Sequence, residues 1–166
     1  MRVLNPVKPR IILGLDPGLA RVGYGIIRVA GNSLSCLSFG CIETHSTHPL
    51  SQRLEELYRT LSSLIGRFSP HTAAVEKIFF AKNTKTALDV SHARGVIILA
   101  LAHAKIPVFE CTPLQVKQAV TGYGKAEKQQ IKKMVQLLLS LSTVPRSDDA
   151  ADALAIALCA SNNQIL

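Results

Sequence analysis

The sequence predicts an α/β fold, in which a mixed five-stranded sheet (an antiparallel meander, then parallel strands) is flanked by helices on both faces. Two observations predict it. Residues 11–42 contain three short apolar segments separated by turn residues, which is typical of antiparallel neighbours. From residue 50 onward, helical stripes alternate with two further short apolar segments, which is typical of parallel strands joined through helices. A chain of 166 residues with 48% hydrophobic content can bury one full core.

The meander is predicted from three segments and the turns between them. Residues 11–15 are continuously apolar and predict a buried first strand, which a Pro-Gly pair ends. Residues 23–29 predict a second strand, and the Gly-Asn pair after it is typical of a hairpin turn. Residues 34–42 then predict a third strand, antiparallel to the second because so short a turn joins neighbours.

A change of hydrophobic period at Leu50 predicts a covering helix that ends before Pro70. Its apolar stripe consists of Leu54, Leu57, Tyr58, Leu61, Leu64, Ile65 and Phe68. Residues 73–79 then predict a fourth strand. Residues 84–104 predict a long helix, and its second half, residues 96–102, is so apolar that we expect it to be buried nearly all round.

The last part of the chain predicts a short fifth strand at residues 107–111 and three helices at residues 114–120, 126–141 and 148–161. No sequence repeat is visible. The expected organisation is therefore one globular domain, with a short extension before it and a short tail after it. We set these at residues 1–10 for a basic N-terminal extension, 11–161 for the domain and 162–166 for the tail.

The charge of the chain predicts a polyanionic partner. Nineteen Lys and Arg against eleven Asp and Glu give a formal net charge of +8. If several of the acids gather in one site, the remaining surface is more basic still, which favours nucleic acid. Many soluble proteins are also basic, so this indication gains weight only together with an acidic site.

A membrane protein and a disulfide-stapled protein are not expected. The longest strictly apolar run, residues 96–102, is far shorter than the roughly 20 residues that span a bilayer. The four cysteines lack Cys-x-x-Cys spacing and are expected to be reduced core thiols. No signal peptide is expected, because an acid interrupts the first apolar run early. We therefore expect a cytoplasmic protein.

Four acids lie where a metal site is expected. Asp16 and Glu76 each end an apolar run, so each emerges near the end of a predicted strand. Asp149 and Asp152 are three residues apart in an alanine-rich helix and point to one face. Helical spacing does not choose between Asp148 and Asp149, because both lie on the face of Asp152. Taken singly, an acid before Pro-Gly or behind Ser147 is equally explained as a turn or cap residue.

The expected metal is Mg²⁺, because it prefers oxygen ligands and retains water and phosphate in its shell. Two ions about 3.5 to 4 Å apart activate an attacking water and stabilise the leaving oxygen of a phosphodiester. We therefore expect two Mg²⁺ ions per subunit, with Mn²⁺ able to substitute, and a site that is partly protonated when it holds no ion.

Four short motifs follow one another along nearly the whole chain. They are Gly14-Leu15-Asp16-Pro17-Gly18 with Arg21-Val22-Gly23-Tyr24-Gly25, then Glu76-Lys77-Ile78-Phe79-Phe80-Ala81-Lys82-Asn83, Gln115-Val116-Lys117-Gln118 and Asp149-Ala150-Ala151-Asp152-Ala153-Leu154-Ala155. Each alone is weak evidence, since a strand followed by Asp and Gly also occurs in actin-like ATPases. Together and in order they resemble the RuvC family of bacterial Holliday-junction resolvases.

The resemblance implies a ribonuclease-H-like fold, a homodimer, and magnesium-dependent cutting of two strands of like polarity across a four-way DNA junction. It also implies that Asp16, Glu76, Asp149 and Asp152 are the catalytic metal ligands, which leaves Asp148 as a cap or surface acid. Coupling to the branch-migration proteins RuvA and RuvB is implied by the family alone. A two-fold dimer offers two identical sites related by the symmetry of the junction.

The resemblance also implies DNA-binding residues. Lys117 and Lys128 match lysines near the family's active site, and Phe79 matches an aromatic residue that stacks on unpaired bases near the crossover. Lys82 is expected to extend the basic surface. Phosphate contacts are the expected role of the lysines, with salt-sensitive and largely sequence-independent affinity.

Three other functions compete with that of a junction-resolving nuclease. A ribonuclease-H-like enzyme acting on RNA–DNA hybrids is disfavoured by the basic surface and Phe79. An actin-like nucleotide-binding domain is disfavoured because that fold needs a second half for which the sequence has no room. A catalytically silent junction-binding protein is disfavoured by the complete set of four acids. The long apolar helix is the candidate dimer surface, although a core role explains its composition equally well.

Overall fold

The fold was obtained as a computed structural model, which describes residues 8–77 and 84–163, without the side chains of residues 84–86. The strands in this part of the chain are β1 (Arg10–Asp16), β2 (Arg21–Ala30), β3 (Ser33–Glu43), β4 (Thr72–Glu76) and β5 (Val108–Cys111). The helices are α1 (Leu50–Phe68), α2 (Thr84–His103), α3 (Pro113–Thr121), α4 (Lys128–Leu138) and α5 (Asp148–Asn162).

The strands form one mixed sheet in the order β3-β2-β1-β4-β5. β1, β2 and β3 are an antiparallel meander, and Gly31, with φ of 58°, supplies the left-handed residue that the tight turn after β2 requires. β4 lies parallel to both β1 and β5. The predicted five-stranded mixed sheet is therefore confirmed.

Two hydrophobic clusters, one on each face of the sheet, hold the layers together. On one face, α3, α4 and α5 pack over residues such as Ile12, Ile27 and Ala74. On the other, α1 and α2 pack over neighbours such as Leu13 and Leu15. Alternation along β1 explains the division, because successive side chains of a strand point to opposite faces. Helices cover both faces, as predicted.

Helix α5 lies directly against the sheet because β1 and β2 present glycines to it. A Cβ added to Gly14 would lie 2.1 Å from the backbone oxygen of Ala153, and one added to Gly23 would lie 2.0 Å from that of Asp149. No larger residue fits at either position without moving backbone atoms. α5 contributes its own small residues, and most of its length is buried. Its first two turns are therefore fixed at the end of the sheet where β1 ends.

Ends of several elements differ from the prediction. β4 ends at Glu76 instead of residue 79, and residues 78 and 79 lie outside the described residues. α4 begins at Lys128, two residues later than predicted, because Glu127 and Gln130 form a reciprocal capping box at its start. The predicted extension and tail are described only from residue 8 and up to residue 163.

Two expectations about burial were wrong. The second half of α2 is not buried nearly all round, because Leu99 is 49% exposed, and Leu88, earlier in the helix, is 65% exposed. α2 covers the sheet with one face only. Of the four free cysteines, Cys36 and Cys41 are half-buried and are not core thiols. Within the described ranges, no helix combines the length and the apolar composition that crossing a membrane requires.

Candidate active site

Asp16 and Glu76 lie side by side at one edge of the sheet. They are the last residues of β1 and β4, which are adjacent and parallel, with Leu15 opposite Val75. Because the carboxyl ends of parallel strands meet at the same edge, the two side chains emerge at the same place. This is the arrangement that the two interrupted apolar runs predict.

Asp149 and Asp152 complete the acidic cluster from above the sheet. They occupy the first two turns of α5, and the close contact of Asp149 with Gly23 holds that end of the helix against β2. Ser147 caps the helix, with its hydroxyl accepting a hydrogen bond from the amide of Ala150 at 3.4 Å. The structure thus brings together all four acids that the sequence singled out.

The electrostatics show how closely the four acids interact. Burial is the largest cause that raises the pKa of Asp16 to about 7, and the negative charges of the other three acids add to it. Burial also raises the pKa of Glu76, with the charge of Asp152 adding, and burial is the main cause that raises the pKa of Asp152. A cluster of this kind stabilises a bound cation and is destabilised by its own repulsion without one.

Basic side chains lie against two of the acids. Lys128 Nζ is 3.6 Å from an oxygen of Asp152, and its pKa is raised chiefly by the charge of that acid. Arg21 Nη1 is 3.5 Å from Asp149, while its Nε is 3.2 Å from Glu43. Each acid on α5 therefore has a cationic neighbour.

The donor set fits a hard divalent cation in its chemistry. Four carboxylates converge at one place, and oxygen ligands of this kind are those that Mg²⁺ prefers. Among residues 8–77 and 84–163, however, no three His, Cys, Asp or Glu side chains are arranged as a finished metal site. With Asp149 and Asp152 turned toward Arg21 and Lys128, the cluster supplies ligands for an ion but no completed shell.

A cavity of about 460 Å³ opens beside the acidic cluster. It is lined by Glu76, Pro113, Val116, Lys117, Lys125, Ala126, Glu127, Lys128, Ile131, Asp152 and Ile156. The lining thus includes two of the four acids, Glu76 and Asp152, and three lysines, together with apolar side chains. The arrangement suits an anionic substrate whose phosphate is held near the carboxylates by cations.

The predicted DNA-binding residues are placed as follows. Lys117 and Lys128 line the cavity, on α3 and at the start of α4. Phe79 and Lys82 lie outside the described residues. A neighbouring lysine on α4, Lys132, pairs with Asp148, and its side chain is only 19% exposed.

Sequence reasoning missed the role of Arg21. The family motif includes this residue, but it lies 128 positions from Asp149, and no local pattern indicates that the two meet. It also missed the pairing of Asp148 with α4. The spacing of Lys128 and Lys132, four residues apart on one helix, was the available indication of a shared partner.

Comparison with known proteins decides the family. The sequence model of the family described as crossover junction endodeoxyribonuclease RuvC matches residues 12–160. The chain belongs to the RuvC family. A crossover junction endodeoxyribonuclease RuvC of Natranaerobius thermophilus is 56% identical over 151 residues, covering 91% of this chain and 94% of the relative. One of Desulforamulus reducens is 56% identical over 149 residues, covering 90% and 91%.

Solved structures agree with this assignment. T. thermophilus RuvC in complex with Holliday junction substrate superposes with a TM-score of 0.87 at 33% identity, covering 92% of this chain and 93% of that one. The yeast mitochondrial Holliday junction resolvase Ydc2 gives 0.65 at 16% identity, covering 89% and 76%, and shows a shared fold. The predicted RuvC resemblance, ribonuclease-H-like fold and nuclease activity are confirmed. The chain is a Holliday-junction-resolving endonuclease of the RuvC family.

The first testable consequence of this RuvC-family site concerns pH. We expect the free energy of unfolding of the metal-free protein to fall as the pH rises from about 5 to about 8. The pKa of Asp16 is about 7 when folded, above the value of about 4 in an unfolded chain, so between these values the folded state binds more protons. This contribution is fully present below the unfolded pKa and is lost as the pH rises through the folded pKa.

Urea unfolding in a chelating buffer across this range measures the effect, whose slope is at most about 1.4 kcal/mol per pH unit for one group. Asp16→Asn is the control, because it removes the carboxyl whose pKa is raised most clearly among the four acids. A free energy that is constant or rises over this range in the unmodified protein would contradict the electrostatic description of the cluster.

Proposed function

We propose that this RuvC-family chain resolves four-way junctions by paired, symmetric, magnesium-dependent nicks in two strands of like polarity. The observation that carries the proposal is the cluster of four acids at the edge of a cavity lined by three lysines. Membership of the family implies dependence on a divalent metal in general. The choice of Mg²⁺, two ions per subunit and substitution by Mn²⁺ are our proposals from the carboxylate ligands.

In this mechanism Asp16, Glu76, Asp149 and Asp152 would hold the metal ions. When bound, the ions would supply an activated water and would stabilise the leaving oxygen. The strand ends fix Asp16 and Glu76 in place, so the ligands are positioned by the sheet rather than by a mobile loop. Lys117 and Lys128, from the cavity wall, hold the phosphate of the scissile strand by charge.

For substrate selection we propose two residues that lie outside the described part of the chain. We propose that Phe79 stacks on bases exposed at the crossover, since an aromatic ring offers about 1 to 3 kcal/mol per base without sequence preference. Lys82 is proposed as a further phosphate contact. Phe79→Ala is then expected to slow cleavage more than it weakens junction binding, and equal loss of both would argue for a packing role instead.

We further propose that the chain works as a homodimer through the exposed face of α2. Leu88, His92, Gly95, Leu99 and Ala102 are exposed and recur every three or four residues, which is the spacing of a helix-to-helix seam. A two-fold axis along this seam pairs identical faces and presents two active sites to the two strands of a junction.

We also propose, from the family alone, that the chain is coupled to RuvA and RuvB. Adding both proteins to the junction-cleavage reaction tests this coupling.

The seam predicts that Leu99→Asp gives a monomer of unchanged fold. Its side chain is 49% exposed in the single chain, so a charge there costs little in the monomer but is buried without a partner in the dimer. Sedimentation velocity measures the state, with Leu137→Asp as the matched control, because Leu137 is 69% exposed on α4. A dimer that persists in Leu99→Asp would place the interface elsewhere.

The experiment that tests the function is cleavage of a labelled four-way junction beside a linear duplex of the same sequence and an RNA–DNA hybrid. The reactions are run with and without Mg²⁺. Paired nicks at symmetric positions, on the junction and with metal, are the expected result. Cutting of the hybrid in preference would favour the related ribonuclease function, and junction binding without nicks would favour the silent binder.

A further inference from the structure

Asp148, which the family motif leaves without a role, is the centre of a charge network beside the active site. It is the first residue of α5, directly before the candidate ligand Asp149. Its carboxylate is not used for capping, because the hydroxyl of Ser147 accepts the hydrogen bond from the helix start. It turns instead toward α4, where it forms ion pairs with Lys128 and Lys132.

The two lysines are held differently. Lys132 pairs with Asp148 and is only 19% exposed. Lys128 is 66% exposed and is shared, with Nζ 3.5 Å from an oxygen of Asp148 and 3.6 Å from one of Asp152. The lysine that faces the substrate cavity thus has one partner inside the acidic cluster and one partner outside it.

The position of Lys128 between Asp148 and Asp152 is important because Asp152 is a candidate metal ligand. A carboxylate that binds a divalent cation gives up much of its attraction for a neighbouring ammonium group. An exposed lysine with a flexible stem would then leave for solvent unless a second anion holds it. Asp148 is close enough to do this.

We propose that Asp148 is a positioning residue, which keeps Lys128 at the mouth of the active-site cavity while Asp152 binds metal. The proposal rests on the proposed function, in which Lys128 contacts the scissile phosphate. In this proposal Asp148 acts through Lys128 and not by a contact of its own with metal or DNA.

A structural role for Asp148 is the competing explanation. The pair of Asp148 with Lys132 also joins α5 to α4 and by itself would stabilise the packing of the two helices. Lys132→Met separates the two roles, because it removes this link but leaves the contact of Asp148 with Lys128. Asp148→Asn removes both, and Asp148→Glu restores the charge.

The test measures the acylation rate of Lys128 by mass spectrometry at low extents of labelling, in chelator and in Mg²⁺, against Lys105 as an exposed reference. In the unmodified protein we expect the rate at Lys128 to change little on adding Mg²⁺. In Asp148→Asn we expect Mg²⁺ to raise it about two- to fivefold, the range that an exposed ion pair provides.

Steady-state cleavage supplies the second readout. We expect Asp148→Asn to lower kcat about two- to fivefold, with KM changed less than about twofold, and Asp148→Glu to restore kcat. Equal labelling of Lys128 in Asp148→Asn and the unmodified protein in Mg²⁺ would overturn the proposal. So would Lys132→Met reproducing both effects of Asp148→Asn. If the unmodified protein cut no junction at all, the proposed function would fail while the labelling result still decided the position of Lys128.

Discussion

Replacing Asp152 with asparagine is expected to abolish junction cleavage and to leave junction binding in place. Asp152 faces the substrate cavity, and its charge contributes to the raised pKa of both Asp16 and Glu76. An amide of the same shape removes the charge that a cation needs, without removing any lysine from the cavity. Loss of a group that merely orients a metal ligand costs about 10- to 100-fold, so loss of a ligand is expected to exceed 100-fold.

The same substitution is expected to leave the metal-free fold at least as stable as before. Burial raises the pKa of Asp152, which means that its ionised form is disfavoured in the folded state. A neutral amide avoids that cost and relieves repulsion with Asp16 and Glu76. Loss of activity without loss of stability is the result that distinguishes a ligand from a structural acid.

Cleavage, junction binding and thermal unfolding are measured on the same preparations. Glu55→Gln is the matched control, since it removes a carboxylate that is 62% exposed on α1 and pairs only with Arg59 four residues away among the described contacts. We expect it to behave as the unmodified protein in all three. Magnesium-dependent cleavage by Asp152→Asn at a rate near that of the control would contradict the assignment of Asp152 as a metal ligand.

How much of the site could be predicted depends on how local each feature is. Asp16 and Glu76 interrupt apolar runs, and a strand end is visible in a few residues, so their position at the edge of the sheet followed from the sequence. Asp152 was visible in the same way, as one acid in an alanine-rich helix. The family motif, and no physical pattern, chose Asp149 over Asp148.

What the sequence could not predict depends on tertiary contacts. Arg21 meets Asp149 only because α5 crosses the end of β2. The contact of Asp148 with α4 likewise depends on how two helices pack. The apolar run in α2 had the composition of a buried segment, yet whether a partner or the core covers such a face is not encoded in its hydrophobicity. These are the points at which the sequence-based interpretation was incomplete or wrong.

The second large effect is expected from a substitution at Gly14, where α5 lies in close contact with the sheet. Gly14→Ala is expected to lower the free energy of unfolding by at least about 3 kcal/mol, the upper end of the cost of overpacking a core. The added Cβ would lie 2.1 Å from Ala153 O and 2.6 Å from Ala157 N, and backbone atoms cannot turn aside as a flexible side chain can. Helix α5 must therefore move away from β1.

That movement also separates the acids, because Asp149 and Asp152 travel with α5 while Asp16 stays at the end of β1. A displacement of about 1 Å in a catalytic group costs about 100-fold in rate, so we expect the folded fraction of Gly14→Ala to cut junctions at least that much more slowly. Urea unfolding and single-turnover cleavage at a temperature below the transition measure the two effects separately.

Gly66→Ala is the matched control, since a Cβ at Gly66 on α1 meets no atom within 4 Å. Replacing a helical glycine by alanine without a clash is expected to stabilise the protein by about 0.5 to 1 kcal/mol and to leave cleavage unchanged. The opposite signs of the two Gly→Ala substitutions separate backbone entropy from steric overlap. The opposite result would be a free energy of unfolding for Gly14→Ala within about 0.5 kcal/mol of that of the unmodified protein. In that case α5 could not lie as close to the sheet as the structure places it. The explanation for how the four acids meet would then have to change.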